Sequence, residues 1–359
     1  MQRLFLLFSA CVLISLTACR PGPDGVDDDG PVAPSFDRAA MLENWAEDVI
    51  VPAYAASSET TAQLAATATV FAETPTAEFL GALRTDFQAA YLSWQSLSPF
   101  LIGRAEEINL RFRANTYPTN PEMIEENIAA AAYNLALPSQ TVAQGFPALD
   151  YLLYADPDAL LATGSAADSR RDYLAQLALA LSELVSAAAA EWTPEFIRTY
   201  TLNDGNSATS SVDRTVNDYI FYFEKFLRAG KVGIPAGVFS DTPLANRAEA
   251  LHSKQSKKLF LAALTASENF FNNDGLAEYL DALNVQRDGE ALSRKITDQF
   301  VAIRTAAENV NNDFSAQVTT DNVKMLALYD EMQRLVVLLK VDMLQALSIN
   351  VDYVDADGD

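Results

Sequence analysis

The sequence predicts an all-α protein made of two helical-bundle domains. Segments rich in Ala and Leu, interspersed with Glu, Gln and Arg, fill most of the 359 residues, and these residue types favour helices. Alternating runs of Val, Ile and Thr, which would indicate strands, are absent from the sequence. A polar, turn-rich stretch at residues 202–207 separates two groups of helical segments. We therefore expect an N-terminal bundle over residues 36–204 and a C-terminal bundle over residues 205–359.

The first 18 residues are typical of a lipoprotein signal peptide. Arg3 precedes an apolar run, and small residues follow that run. Residues 16–19 read Leu-Thr-Ala-Cys, which resembles a bacterial lipobox and implies cleavage before Cys19 and lipid attachment to its sulfur. The apolar run is shorter than the roughly 20 residues that cross a bilayer. An ordinary signal peptide with an incidental cysteine is the alternative.

Residues 19–35 are predicted to form a disordered, acidic stalk. Pro, Gly and Asp dominate this stretch, and such residues cannot build a core. Arg20 follows the cysteine, whereas lipoproteins retained at the inner membrane tend to carry aspartate there. The sequence therefore resembles the outer-membrane class. We expect a protein anchored by lipid to the outer membrane of a Gram-negative envelope and facing the periplasm.

Three helices stand out in the predicted N-terminal bundle. The first follows Pro75 and ends before Pro99, with apolar residues spaced by three or four. The second begins at Asn120-Pro121, a capping residue followed by proline at the first helical position. The third spans residues 168–190. The apolar stripes of the first and third helices are Phe79, Leu83, Phe87, Tyr91 and Trp94, and Tyr173, Leu177, Leu181 and Leu184.

Four helices are predicted in the C-terminal bundle. The first covers residues 212–228 and ends near Gly230, and the others cover 246–271, 289–314 and 320–347. The four residues from Gly233 to Ala236 repeat the Gly-apolar-Pro-Ala pattern found from Gly145 to Ala148. Because repeated fold halves leave only weak traces in sequence, this similarity leaves a diverged duplication open.

Composition excludes several classes of function. The formal net charge is −23, from 48 acidic and 25 basic residues, which argues against binding nucleic acid. The only cysteines are Cys11, in the signal, and Cys19, so the mature chain has no disulfide and no catalytic thiolate. His252 is the sole histidine, whereas zinc hydrolases typically use several imidazoles and Ser-His-Asp catalysis requires a positioned one.

The segment from Gln144 to Leu153, QGFPALDYLL, resembles the signature of the imelysin-like proteins, Gly-x-His-x-x-Glu followed by aromatic and leucine residues. Gly145 matches the glycine, Asp150 stands in for the glutamate, and Pro147 occupies the histidine position. The resemblance implies two helical bundles, a bacterial envelope location and frequent association with iron uptake. These proteins were once described as metallopeptidases. In this sequence, Pro147 stands where the family has the histidine proposed to bind the metal, so that imidazole is missing.

The chemistry of the same segment leaves two interpretations open for Asp150. Gly145 permits a turn that a side chain would block, and Pro147 suits the first turn of a helix. Asp150 would then lie in the first turn, where an acid caps the helix or interacts with its dipole. Alternatively, Gly145, Pro147 and Asp150 mark a ligand or metal site in the cleft between the bundles.

Three weaker candidate sites lie elsewhere in the sequence. Glu249 and His252 have Glu-x-x-His spacing on a predicted helix and would share a face, as in di-iron bundles, although a surface or internally bonded histidine is the alternative. Arg111, Arg113 and Tyr117 could recognise an anion such as a carboxylate, unless the arginines pair with Glu106 or Glu107. The alternating Asp355, Asp357 and Asp359 form an acidic terminus that could bind calcium weakly, with a frayed acidic tail as the alternative.

Three functions remain open from the sequence. The first is a non-catalytic binding or accessory role in metal acquisition, with iron or another divalent cation as the cofactor or cargo. Its partners would be the membrane, through the lipid anchor, and envelope proteins of iron uptake or redox chemistry. The second is a metallopeptidase, as in the older description of the family. The third is a structural or interaction lipoprotein without a small ligand.

Overall fold

The computed structural model describes residues 36–273 and 275–353. The signal peptide, Cys19 and the acidic stalk lie outside the described residues, as do Asp355, Asp357 and Asp359. Helices dominate what is described, and the all-α prediction is confirmed.

Between Phe36 and residue 205, the structure contains ten α-helices. In chain order they are α1 (Arg38–Asn44), α2 (Val51–Glu73), α3 (Ala77–Leu97), α4 (Arg104–Glu107), α5 (Leu110–Asn115), α6 (Pro121–Ala130), α7 (Gly145–Tyr154), α8 (Pro157–Leu161), α9 (Ser165–Ala189) and α10 (Pro194–Leu202). A π-helical segment, Trp45–Ile50, joins α1 to α2, and a 3₁₀ segment, Pro138–Ala143, precedes α7.

Seven α-helices and one small hairpin follow residue 205 within the described chain. They are α11 (Ser211–Phe221), α12 (Ile234–Ala236), α13 (Ser256–Asn273), α14 (Leu276–Ala282), β1 (Gln286–Arg287), β2 (Glu290–Ala291), α15 (Leu292–Glu308), α16 (Phe314–Val337) and α17 (Leu344–Leu347). Two π-helical segments, Tyr222–Gly233 and Leu338–Met343, and one 3₁₀ segment, Ala245–Arg247, complete the order. The two short strands pair antiparallel, with Arg287 opposite Glu290.

The predicted helix starts in the first half follow from local capping. The Thr76 hydroxyl accepts a hydrogen bond from the Phe79 amide at the start of α3. The Asn120 side chain accepts one from the Met123 amide at the start of α6. Both side chains satisfy amides that have no partner within the helix.

Two predicted helices in the second half have different bounds in the structure. The helix expected to end near Gly230 continues as the π-helical segment Tyr222–Gly233 and then as α12. The helix expected from residue 246 begins only at Ser256. Residues before it form turns, and Ala250 and Lys254 adopt positive φ angles of 52° and 59°, a conformation that an α-helix excludes.

The hydrophobic core joins the two halves of the described chain. The Phe270 ring of α13 lies with its centroid 4.9 Å from Trp45, 4.7 Å from Phe100 and 5.0 Å from Tyr219. All four side chains are almost completely buried. Apolar area removed from water stabilises the fold at about 25 cal/mol per Å², so this shared cluster holds both halves of the chain in one core.

The domain boundary near residue 205 stays a prediction. The polar stretch does separate α10 from α11, while the chain from Phe36 onward clusters as one unit. The diverged duplication that the sequence leaves open is not confirmed. Its two Gly-apolar-Pro-Ala segments differ in conformation, since Gly145 has a φ of +73° and Gly233 a helical φ of −67°.

No single helix in residues 36–273 and 275–353 is long and apolar enough to span a membrane. α9 and α10 together pass the same test of length and composition, but they meet at a bend of 56°. The apolar side of α9, including Leu177 and Leu181, is buried in the core.

Candidate functional site

Gly145 allows the motif segment to pack directly against the end of α5. It adopts a φ of +73°, in the region that favours glycine. A Cβ atom at this position would lie 2.2 Å from the carbonyl oxygen of Ala114, which is far inside van der Waals contact. The glycine therefore satisfies both a backbone conformation and a close approach between α5 and α7.

Asp150 bonds to a different part of the chain from the one expected. α7 begins at Gly145, so Asp150 lies beyond its first turn, and the prediction that it caps its own helix is wrong. Its carboxylate instead accepts hydrogen bonds from the backbone amides of His252, at 2.9 Å, and Ser253, at 3.1 Å. Burial raises the pKa of Asp150, which is only 2% exposed. The carboxylate thus fastens the turn at residues 248–254 to α7.

Glu249 and His252 do not share a helical face. Both residues lie in the turn before α13. Ala250, between them, has a positive φ angle, so the backbone from Glu249 to His252 is not helical. The Glu249 carboxylate contacts the buried Lys231 ammonium, whereas the His252 ring packs edge-on against Tyr151, with centroids 5.4 Å apart. The helical arrangement assumed for this metal candidate is therefore wrong.

Lys231 and Glu249 form the centre of a buried polar network. The Lys231 ammonium also donates to the Gln95 side-chain oxygen at 2.9 Å. Asn115 donates to the other Glu249 oxygen at 2.8 Å and accepts from the Tyr91 hydroxyl at 2.8 Å. Burial lowers the pKa of Lys231. Since each charged group has two hydrogen-bond partners, the network offsets part of the large desolvation cost of burying the pair.

Tyr117 lies between this network and an adjoining cavity. Its hydroxyl would come 2.9 Å from a Cβ atom at Gly230, which indicates a close approach to the π-helical segment. Burial raises the pKa of Tyr117 well above its usual value, and the nearby Glu249 carboxylate adds to the effect. The peptide bond between Tyr117 and Pro118 is cis.

A cavity of about 260 Å³ opens beside the motif segment. Its walls come from α7, from the turn that Asp150 fastens and from the connection between α5 and α6. Residues that line it include Tyr117, Pro118, Pro147, Asp150, Leu251 and His252. Pro147 supplies an apolar wall and no ligating atom. The cavity is slightly below the 300–1,000 Å³ typical of ligand sites, and the rings of a tyrosine, a histidine and three prolines form part of its lining.

Arg111 is engaged in an internal ion pair, although with neither of the partners expected for it. Its guanidinium donates to Asp218 at 2.5 Å and to the Ser98 carbonyl at 2.5 Å, not to Glu106 or Glu107. Burial raises the pKa of Asp218 despite this partner. Asp218 also accepts from the Leu101 amide at 2.6 Å. The predicted pairing of Arg111 with Glu106 or Glu107 is therefore wrong.

The three candidate anion-binding residues do not meet in one cavity. Arg111 and Tyr117 both line an internal space of about 10 Å³, which holds at most a water molecule. Arg113 is half-buried, and burial lowers its pKa. Anion recognition by this group stays a prediction, and the geometry provides it with no common binding space.

A metal ion would need several ligating side chains close together. Within residues 36–273 and 275–353, no three His, Cys, Asp or Glu side chains gather in an arrangement that could hold a metal ion. The Asp150 carboxylate is occupied by two backbone amides, and the Glu249 carboxylate by Lys231 and Asn115.

The family model for imelysin, Peptidase M75, matches residues 50–340. The chain belongs to the imelysin family. Its fold is similar to that of an imelysin-like protein from Psychrobacter arcticum, with a TM-score of 0.71, 18% identity and coverage of 88% of this chain and 97% of that one. It is equally similar to a protein from Parabacteroides distasonis named as an iron-regulated protein A precursor, with a TM-score of 0.71, 14% identity and coverage of 88% and 96%.

No curated protein matches this imelysin-family chain. The structural similarities are below 25% identity and therefore concern the fold. Sequence patterns identified the family motif, but they did not identify Lys231 and Asp218 as members of buried ion pairs. A lysine within the apolar stretch around residues 229–236 was the available signal for Lys231, because a lysine is almost never fully buried unless it is paired.

Proposed function

We propose that this imelysin-family protein has a non-catalytic binding or accessory role in iron acquisition at the bacterial envelope. We further propose that lipid on Cys19 anchors it to the outer membrane, facing the periplasm. Its partners would be envelope proteins that take up iron or change its oxidation state, and iron or another divalent cation would be the cargo. The family resemblance and the name of the Parabacteroides distasonis protein support the connection with iron.

The bonding of Asp150 is the observation that carries the non-catalytic part of the proposal. Both carboxylate oxygens accept backbone hydrogen bonds, from His252 and Ser253. The carboxylate therefore shapes one wall of the 260 Å³ cavity. We propose that this cavity binds a small ligand or a segment of a partner protein, while the motif carboxylate maintains its shape.

The residues beside the motif also disfavour a metallopeptidase. A catalytic zinc typically takes three protein ligands and leaves one position open for water. Pro147 contributes no donor at the histidine position, and Glu249 is paired with Lys231. We therefore expect purified protein not to cleave unfolded casein in the presence of zinc or ferrous iron. Cleavage that a chelator abolishes would favour the peptidase.

The binding role can be tested by blocking the cavity from its rim. Asn246 lines the cavity, is exposed and takes part in no hydrogen bond with a described residue, so Asn246→Trp adds a bulky ring without removing a buried contact. Asn206→Trp, on an exposed loop between α10 and α11, is the matched control.

A deletion strain carrying these variants would be grown with limiting iron, and ⁵⁵Fe accumulation would be measured. We expect deletion to lower accumulation, Asn206→Trp to restore it and Asn246→Trp to fail, with all variants expressed equally. Normal accumulation in the deletion strain would refute the role in iron acquisition. Full restoration by Asn246→Trp would instead favour an interaction protein that does not use this cavity.

A further inference from the structure

A second cavity, of about 350 Å³, lies on another part of the surface from the motif. Helices α4, α5 and α11 and residues 352–353 enclose it. The residues that define its chemistry are Glu106, Arg111, Arg214, Asn217, Asp218 and Asp352, and its apolar walls include Phe112, Phe221 and Tyr353. Its volume lies within the range typical of small-molecule sites.

Two ion pairs neutralise most of the charge in this cavity. The Arg111 guanidinium pairs with Asp218 at 2.5 Å, and Arg214 pairs with Glu106 at 3.3 Å. Asp352 forms no ion pair with any residue in the described ranges. Partial burial, and to a lesser extent the nearby Glu106 carboxylate, raises the pKa of Asp352. With three carboxylates and two guanidinium groups in its lining, the cavity carries one formal negative charge when all three acids are ionised.

Asn217 adds an unused hydrogen-bond acceptor. Its side-chain nitrogen donates to the Asn350 carbonyl at 3.0 Å, which fixes the orientation of the amide because a carbonyl can only accept. The side-chain oxygen then has no hydrogen-bond partner among the described residues, although Asn217 is only 3% exposed. An unpartnered buried acceptor costs about 1–3 kcal/mol, so a ligand that donates to it would recover a favourable interaction.

We propose that this cavity binds a small organic cation, namely a primary ammonium group on an apolar body. The ammonium would donate to the Asp352 carboxylate and, after a small shift of the side chain, to the Asn217 oxygen, which is buried from solvent in this structure. Its apolar body would lie against Phe221 and Tyr353, whose rings pack 5.0 Å apart, and against Phe112, which is 44% exposed. The Asp352 carboxylate and the Asn217 oxygen are both hydrogen-bond acceptors, which suits an ammonium donor. This proposal does not rest on the proposed role in iron acquisition.

Isothermal titration with three matched probes tests the class of ligand. Phenethylamine carries the ammonium, 2-phenylethanol is its neutral counterpart and 3-phenylpropanoate carries a negative charge. We expect phenethylamine to bind at least tenfold more tightly than 2-phenylethanol at physiological ionic strength, and 3-phenylpropanoate not to bind. Absence of phenethylamine binding at 10 mM, or equal binding of the neutral probe, would overturn the proposal.

The variant Asp352→Asn tests the location of the site. We expect it to weaken phenethylamine binding at least fivefold while the melting temperature stays unchanged, because the Asp352 side chain is exposed. Asp298→Asn is the matched control, since Asp298 is an exposed carboxylate on α15 away from this cavity. Equal weakening by both variants would show non-specific attraction to a chain of net charge −23 and would contradict the site.

Discussion

The Lys231 ammonium and the Glu249 carboxylate form an ion pair inside the protein, where each side chain is at most 3% exposed. Lys231 belongs to the π-helical segment after α11, and Glu249 to the turn that Asp150 holds. The pair therefore connects the motif region to the C-terminal half of the core. Asn115 and Gln95 extend it into α5 and α3.

Removing one partner of this pair should destabilise the protein strongly. Either Lys231→Met or Glu249→Gln leaves a buried group without its counterpart, at a cost of about 3–5 kcal/mol for a lost partner. The double variant should be less destabilised than the sum of the two. Chemical denaturation of the wild type, the two single variants and the double variant measures the coupling free energy between Lys231 and Glu249. Lys324→Met, which removes an exposed pair with Asp321, should change the free energy of unfolding by less than about 1 kcal/mol. Additive single effects would show that the two groups do not interact.

Gly145→Ala should be costly for two independent reasons. A non-glycine residue at positive φ costs about 1–3 kcal/mol, and the added Cβ would collide with the Ala114 carbonyl. We expect a total loss above about 2 kcal/mol, measured by thermal or chemical denaturation. Gly81→Ala is the control, because Gly81 lies inside α3 with no atom near its Cβ position. That variant should gain about 0.5–1 kcal/mol. A loss of similar size at both positions would contradict this explanation.

Asp150→Asn should cost about 1–3 kcal/mol, because an amide offers one acceptor oxygen to two backbone donors and leaves one unsatisfied. Asp156→Asn is a matched control. Asp156 caps α8 by accepting from the Ala159 amide, and asparagine caps a helix about as well as aspartate. That control should lose only a few tenths of a kcal/mol. Equal effects at the two positions would contradict the stabilising role assigned to the two backbone hydrogen bonds of Asp150.

The same Asp150 variant should also change how stability depends on pH. Because burial raises the folded-state pKa of Asp150, the folded protein holds this proton more tightly than the unfolded chain. The resulting stability is fully present below the unfolded pKa of about 3.9 and is lost as pH rises through the folded pKa. Asp150→Asn should therefore show a smaller decline in the free energy of unfolding from pH 4 upward than the wild type. An unchanged pH profile would contradict the raised pKa.

The helices could be predicted where the interactions that form them join residues close together in the sequence. The α3 stripe and the Asn120 cap depend on residues within four positions of one another, and sequence spacing records such relationships. The turn at residues 248–254 was not predictable, because its amides bond to Asp150, about one hundred positions earlier. The partners of Arg111 and Lys231 were missed for the same reason. Asp218 lies 107 residues after Arg111, and the sequence pattern contains no trace of that pairing.

Lipid anchoring remains a prediction from residues 16–19. Cys19→Ser should abolish incorporation of labelled palmitate and shift the protein from the membrane to the soluble fraction. Cys11→Ser, inside the signal peptide, should leave both results unchanged and serves as the control. Membrane retention of Cys19→Ser equal to that of the wild type would exclude the lipobox interpretation.

Hydrogen exchange at the His252 and Ser253 amides tests most directly whether Asp150 shapes the cavity or holds a metal. The exchange of these amides would be measured in the full-length protein with and without saturating ferrous iron or zinc. Because both oxygens of Asp150 accept from these amides, we expect strong protection that the metals do not alter. We also expect protection to be lost selectively in Asp150→Ala. Loss of protection at the two amides when metal is added to the wild type would show that the carboxylate leaves them to bind the ion, and would contradict the account.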